Sequence, residues 1–242
     1  MTKAVGEAPR VSVIIPVFNE EGLLFGSVIE LIEKLKKVDY TYEIIVSENG
    51  STDDTREIAL RLEREYPQVR ALLTEEPNYG RALRKGIENA RGTYVICDEV
   101  DILDVEFHLR ALDILFNDQA DLVVGSKRHP DALDRRPLMR QVATKVMNGL
   151  LAIFLDFKGT DTHGLKAFHR ERLMAVVNRC VVERDLFASE LVIRAERQHV
   201  RGLEIPVEII EKRPPSINLV KRVPHVLKNL ATLVWVIRIK NR

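Results

Sequence analysis

Four times before Asp121 the chain repeats one unit: a short apolar run rich in β-branched residues, a polar turn, and a stretch with helical spacing. The runs are Val11–Val17, Glu43–Val46, Val69–Leu73 and Thr93–Cys97, and a fifth, Asp121–Gly125, follows the last helical stretch. The helical stretches are Leu23–Val38, Arg56–Tyr66, Arg81–Ala90 and Val105–Asn117. Runs this short and this apolar read as strands buried on both faces. Their alternation with helices predicts an α/β fold, a doubly wound and mostly parallel central sheet flanked by helices. In such sheets ligands sit outside the carboxyl ends of the strands. The polar clusters Asn19–Gly22, Ser47–Thr55 and Asp98–Asp101 all fall at such ends.

After Arg140 the pattern changes to a helix over Gln141–Phe157, a Gly/Thr/Asp/His loop at Gly159–Gly164, helices at Arg170–Asn178 and Ser189–Gln198, and a strand at Val200–Val207. A proline-stiffened basic loop, Lys212–Ser216, precedes a last helix over Pro224–Lys240. At 242 residues one core suffices, and 45% hydrophobic with 30% charged residues fits a globular chain. A net charge of +1 gives no reason to expect nucleic acid as a partner. Two cysteines make no disulfide framework, so a reduced, cytoplasmic setting is the simpler expectation. The first ten residues carry no apolar core of a signal peptide, and no apolar run reaches the 18 or more residues of a membrane span.

Four patches, in order, resemble the family 2 glycosyltransferases: PVFNE at Pro16–Glu20, ENGSTD at Glu48–Asp53, the acidic cluster after Cys97, and DTHGLKAF at Asp161–Phe168. Within that family the resemblance is to the dolichol-phosphate mannose synthase and polyprenyl-phosphate glycosyltransferase branch, and it covers roughly residues 10 to 220. It implies a single GT-A (Rossmann-like) domain over 10–223, with a tail at 1–9 and an amphipathic basic helix at 224–242. It also implies transfer of a hexose, with inversion, from a GDP- or UDP-linked donor to an acceptor, and the sequence leaves the base open.

By that resemblance Pro16, Phe18, Asn19, Glu20 and Glu48 line the nucleoside, with Glu48 where the family usually has Asp. A carboxylate there accepts from a base N–H, and Asn49 supplies either polarity. Asn49, Gly50 and Asp53 also suit a plain turn and helix cap, and Gly80 suits either close approach of a ligand or the turn before a helix. A diphosphate beside carboxylates requires a hard divalent cation, Mg²⁺ or Mn²⁺. The family's D-x-D pattern falls here on Glu99-Val100-Asp101, with Asp98 before it, and Leu103 stands where the branch often has a further Gln or His ligand. Residues i and i+2 at a strand end point the same way. The same acids also suit a helix N-terminus.

The acceptor side is basic. Lys127 follows the fifth strand, and Arg140, Thr144 and Asn148 share one helix face, which resembles the branch's pattern and suits either a lipid phosphate or a solvated charged face. A polyprenyl phosphate acceptor is already anionic and needs no strong base; a hydroxyl acceptor needs one, and Asp161 and Glu190 are the candidates. Arg213 resembles a mobile-loop arginine that neutralises the leaving diphosphate. The apolar face of Pro224–Lys240, with Trp235 and flanking Lys and Arg, suits peripheral contact with the inner face of a membrane, or packing on the domain's own core. A non-catalytic nucleotide-sugar sensor is the rival of another class. A dinucleotide dehydrogenase is set aside because no G-x-G-x-x-G follows the first strand. Nothing in the pattern assigns an oligomeric state.

Overall fold

The computed structural model describes residues 8–135, 137–183, 186–209 and 219–240. The alternating units form as expected: β1 (Val11–Val17), α1 (Leu24–Leu35), β2 (Tyr42–Asn49), α2 (Thr55–Glu65), β3 (Val69–Thr74), α3 (Tyr79–Asn89), β4 (Tyr94–Cys97), α4 (Val105–Phe116) and β5 (Leu122–Ser126). Then come β6 (Leu133–Asp134), α5 (Leu138–Leu155), β7 (Lys166–His169), α6 (Arg170–Arg179), α7 (Phe187–Arg197), β8 (Gly202–Pro206), β9 (Glu208–Ile209) and α8 (Leu219–Trp235), which continues as a π turn over Val236–Lys240. α5 thus opens before Gln141 and closes at Asp156, whose φ of 55° ends the helix in the left-handed region. α8 opens before Pro224.

Seven strands form one sheet in the order β3-β2-β1-β4-β7-β5-β8, and β6 pairs with β9 in a small second sheet. All pairs are parallel except those of β7, which runs antiparallel between β4 and β5. β7 is the strand of the main sheet that sequence reading missed, since KAFH is short and begins with a lysine; the two-residue β6 and β9 were not anticipated either. Its direction brings its amino end to the carboxyl ends of β4 and β5, with the Gly125 N–H donating to the Leu165 carbonyl at 2.8 Å. The 159–165 loop therefore joins the same edge as the polar clusters.

Period-two side chains divide the core between the two faces. Val11, Val13, Ile15 and Val17 of β1 face α1 and α4, while Ile14 and Ile45 face α3 and the cluster built on α6 and α7. Leu24, Val28, Leu31, Ile32 and Leu35 give α1 one buried stripe. Strand order reverses between β1 and β4, which opens the crevice where such folds bind ligands. β4 stops at Cys97, abreast of Ile14, whereas Val17 of β1 pairs with Glu48. The acidic loop therefore leaves the sheet lower than the end of β1.

Candidate active site

The turns after β1 and β2 are stitched to each other. Asn19, at φ 54°, donates its N–H to Ser51 Oγ at 3.0 Å, and its Oδ1 accepts from the Thr52 N–H at 2.9 Å. The Glu20 N–H donates to Thr55 Oγ1, and Asp53 accepts from the Glu21 and Thr55 N–H groups. Those hydrogen bonds outweigh the upward push of burial and hold the Asp53 carboxyl below its ordinary range. Asn19 and Asp53 thus shape the loops. Phe18 is 40% exposed at the rim, and Pro16 lies within buried β1.

Glu48 is fully buried at the end of β2. Its Oε1 accepts from the Ser51 N–H at 2.6 Å, and its Oε2, also buried, has no hydrogen-bond partner among the described residues. An orphaned carboxylate oxygen out of water is costly, so it marks a place where a donor belongs. Asn49 Oδ1 is taken up by the Asn78 N–H at 2.5 Å, and Asn78 in turn caps α3. Gly50, at φ 69°, passes so close to Glu75 that a Cβ would lie 3.0 Å from its carbonyl oxygen. Gly80 is the second residue of α3 rather than part of the preceding turn, and it is buried.

After β4 the chain makes a tight acidic loop. The Ile102 and Leu103 N–H groups donate back to the Glu99 carbonyl, Leu103 takes φ 44° with its side chain in the core, and Asp104 Oδ1 caps α4 by accepting from the Phe107 N–H. A left-handed leucine is backbone strain of about 1–2 kcal/mol, held by the surrounding fold. Glu99 and Asp101 are half-buried. Burial, then the charge of Asp101, pushes the Glu99 carboxyl up to about 7, against the pull of Lys127 and Lys166. Asp98, expected to meet the ligand, turns inward: Oδ1 accepts from the Glu99 N–H at 2.7 Å and Oδ2 meets His108 Nε2 at 2.5 Å.

On the basic side Lys127 Nζ lies 3.1 Å from Asp161 Oδ2, and Asp161 Oδ1 accepts from the His163 N–H. Burial raises the Asp161 carboxyl, but Lys127 and the His163 N–H hold it below its ordinary range. Lys166, almost wholly buried, donates to the Gly164 carbonyl; burial lowers its ammonium despite the charge of Asp161 nearby. The Tyr79 hydroxyl, at the start of α3, is pushed well up by burial and then by the charges of Glu99, Asp98 and Asp101. Asn148 bonds the Thr160 carbonyl, tying α5 to the Asp161 loop.

Glu190 takes a different part from the proton acceptor anticipated for it. It is fully buried in α7; Oε2 accepts from the Val181 and Val182 N–H groups and Oε1 from Arg194 at 2.7 Å. With both oxygens so engaged it holds the turn after α6. Arg213 and the side chain of Arg140 lie outside what the structure describes; the backbone of Arg140 is in α5. Sequence reading missed His108, Lys166 and Tyr79. The signal for His108 was present: it sits on the buried stripe of α4 with Phe107, Ala111, Leu112 and Leu115.

Among the described residues no group of three His, Cys, Asp or Glu side chains is gathered for a metal ion. Two carboxylates do fit a hard cation that takes its remaining ligands from phosphate oxygens and water. Burial and, after it, the charge of Asp101 raise Glu99, and a cation there would oppose both.

These features define an α/β protein with a cluster of carboxylates and lysines at the switch point of its sheet. The sequence model of glycosyl transferase family 2 matches residues 12–184. The chain belongs to that family. Glycosyltransferase AglD of Haloferax volcanii is 29% identical over 245 residues, covering 99% of this chain and 39% of that one. A human dolichyl-phosphate beta-glucosyltransferase is 31% identical over 222 residues, covering 84% of this chain and 68% of the other. The chain thus spans about two fifths of the first relative and about two thirds of the second. A crystal structure of glucosyl-3-phosphoglycerate synthase from Mycobacterium tuberculosis, in complex with Mn²⁺, UDP and phosphoglyceric acid, superposes with a TM-score of 0.66 at 20% identity, covering 93% of this chain and 78% of that one. That likeness shows a shared GT-A fold.

Proposed function

We propose that this chain transfers a hexose from a UDP-sugar to a polyprenyl or dolichyl phosphate, inverting the anomeric centre. The observation that carries the reading is the buried Glu48 Oε2, without a hydrogen-bond partner among the described residues, at the same sheet edge as Glu99 and Asp101. Uracil presents one ring N–H between two carbonyls, which suits a carboxylate with one oxygen left over. Guanine presents two adjacent donors and would compete with the Ser51 N–H for Oε1. The names of the relatives, dolichyl-phosphate beta-glucosyltransferases among them, support the acceptor class.

The acceptor phosphate oxygen attacks the anomeric carbon as the bond to the diphosphate oxygen breaks, and no strong base is needed because the nucleophile is already anionic. Glu99 and Asp101 would hold a divalent cation, Mg²⁺ or Mn²⁺, which when bound would supply positive charge to the leaving diphosphate. Lys127 holds positive charge at the end of β5, and Asp161 fixes its position. Arg140, Thr144 and Asn148 on α5 are our choice for the lipid phosphate, and Arg213 for the leaving group.

Peripheral membrane contact belongs to the same proposal. Leu138, Met139, Val142 and Val146 of α5 and Leu227, Trp235 and Ile239 of the last helical segment are exposed, while Leu230, Leu233 and Ile237 pack into the core. No helix among the described residues is long and apolar enough to cross a membrane. Cytoplasmic placement at the inner face accords with two free, buried cysteines. Incubation with radiolabelled UDP-glucose, Mn²⁺ and polyprenyl phosphate in anionic vesicles is expected to give label extractable into organic solvent. Absence of that label with every polyprenyl phosphate tried would remove the lipid acceptor.

A further inference from the structure

His108 lies in the first turns of α4 with its side chain wholly out of water, one face of the core around it and Asp98 in front of it. The contact between His108 Nε2 and Asp98 Oδ2 is 2.5 Å, and neither side chain has measurable exposure. An ionised carboxylate only accepts, so Nε2 carries the proton and donates. His108 Nδ1 is buried and has no hydrogen-bond partner among the described residues. A core imidazole with one nitrogen unpartnered among the described residues carries a cost, offset by the hydrogen bond that the other nitrogen gives the buried Asp98 carboxylate. Retaining it points to what the other nitrogen does.

Asp98 is the joint between the sheet and the acidic loop. Its N–H donates to the Ile14 carbonyl at 3.0 Å, continuing the β1–β4 ladder, while its Oδ1 accepts from the Glu99 N–H. The carboxylate therefore sets the direction in which the chain leaves β4, and the imidazole sets the carboxylate. At its far end the loop is fixed by Asp104, which caps the same helix that bears His108. Both ends of the Glu99–Asp101 loop are thus fastened to α4, and the strained Leu103 is confined between them.

We propose that His108 is a positioning residue: through Asp98 it holds Glu99 and Asp101 in the geometry that takes up the cation of a nucleoside diphosphate. The inference rests on Glu99 and Asp101 being the residues that hold that cation. His108 touches no substrate. Its effect is on preorganisation, and loss of the imidazole lets the loop sample arrangements in which the two carboxylates no longer converge.

Mn²⁺ binding to the protein in the presence of UDP, followed by the electron paramagnetic resonance of free Mn²⁺, tests this without reference to turnover. His108→Leu and His108→Asn are expected to weaken Mn²⁺ at least tenfold and to leave UDP affinity in EDTA within twofold. His108→Gln, whose amide nitrogen reaches the place of Nε2 where that of asparagine does not, is expected to recover Mn²⁺ affinity to within threefold of the parent. Metal-free thermal unfolding verifies that each variant is folded, and if the histidine variants are not, Asp98→Asn is expected to show the same loss with the imidazole in place. Mn²⁺ affinity unchanged in these variants, while Asp101→Ala abolishes it, overturns the positioning role alone. A parent protein that binds no Mn²⁺ with UDP, or whose binding survives Asp101→Ala, overturns the underlying assignment as well.

Discussion

Lys127 Nζ and Asp161 Oδ2 stand 3.1 Å apart, an ion pair with side chains 10% and 0% exposed that joins the end of β5 to the loop entering β7. Removing one member of a buried pair strands the other, at about 3–5 kcal/mol. Lys127→Met is therefore expected to lower stability by about that much and to cut transfer by two orders of magnitude or more. Lys127→Met with Asp161→Asn should regain most of the stability and none of the activity. Denaturant unfolding and transfer assays on the single and double variants check both halves.

Glu99 makes the metal-free protein sensitive to pH. Its carboxyl is raised from 4.5 to about 7, so the folded state holds the proton more tightly than the unfolded chain. Its contribution to stability is full below pH 4.5 and is lost as pH rises through about 7. At about 1.4 kcal/mol per unit, Glu99→Gln should stabilise the metal-free protein by up to about 3 kcal/mol above pH 7 and by little below pH 5. Mn²⁺ competes with that proton, so its apparent affinity should rise with pH and level off above 7. A pH-independent affinity would contradict the assignment.

Glu48→Gln replaces the orphaned acceptor with an amide. Binding of UDP is expected to fall about 100-fold, about 2.7 kcal/mol, because a hydrogen bond to a charged buried partner is lost. Cytosine carries an acceptor where uracil carries its ring N–H, so the ratio of CDP to UDP affinity should increase. Calorimetric titration of both nucleotides reads this directly, and equal losses for the two would argue that Glu48 does not face the base.

Glu190 is expected to behave as scaffold. Glu190→Ala leaves Arg194 buried without its carboxylate and frees the Val181 and Val182 N–H groups. A cost of about 3–5 kcal/mol follows, which in a domain of this size lowers the melting temperature by roughly 6–20 °C. A variant that melts like the parent but transfers no sugar to a hydroxyl acceptor would restore Glu190 as a base.

Gly164 permits β7 to enter the sheet, since a Cβ there would lie 1.8 Å from the Gly125 carbonyl oxygen. Gly164→Ala is expected to prevent folding or to abolish activity by displacing the Asp161 loop. Gly149 in α5 meets nothing within 4 Å, so Gly149→Ala should stabilise by about 0.5–1 kcal/mol at unchanged activity. Circular dichroism melts of the pair measure the contrast.

Much of the fold was written along the chain. Strand-length apolar runs alternating with amphipathic stretches are local patterns, and local patterns name parallel α/β layers and the edge where ligands bind, so the Asn19, Glu48 and Glu99–Asp101 loops were found from residue order and family resemblance. The tertiary structure decided what each polar group is free to do. It inserted β7 backwards between β4 and β5, which no periodicity in KAFH announces, and so set Asp161 against Lys127. It turned Asp98 inward to His108, engaged Asp53 and Glu190 in holding loops, and left one oxygen of Glu48 without a donor among the described residues. Hydrogen-bond partners from distant segments settle whether a carboxylate is scaffold or site, and sequence spacing cannot report which segments meet.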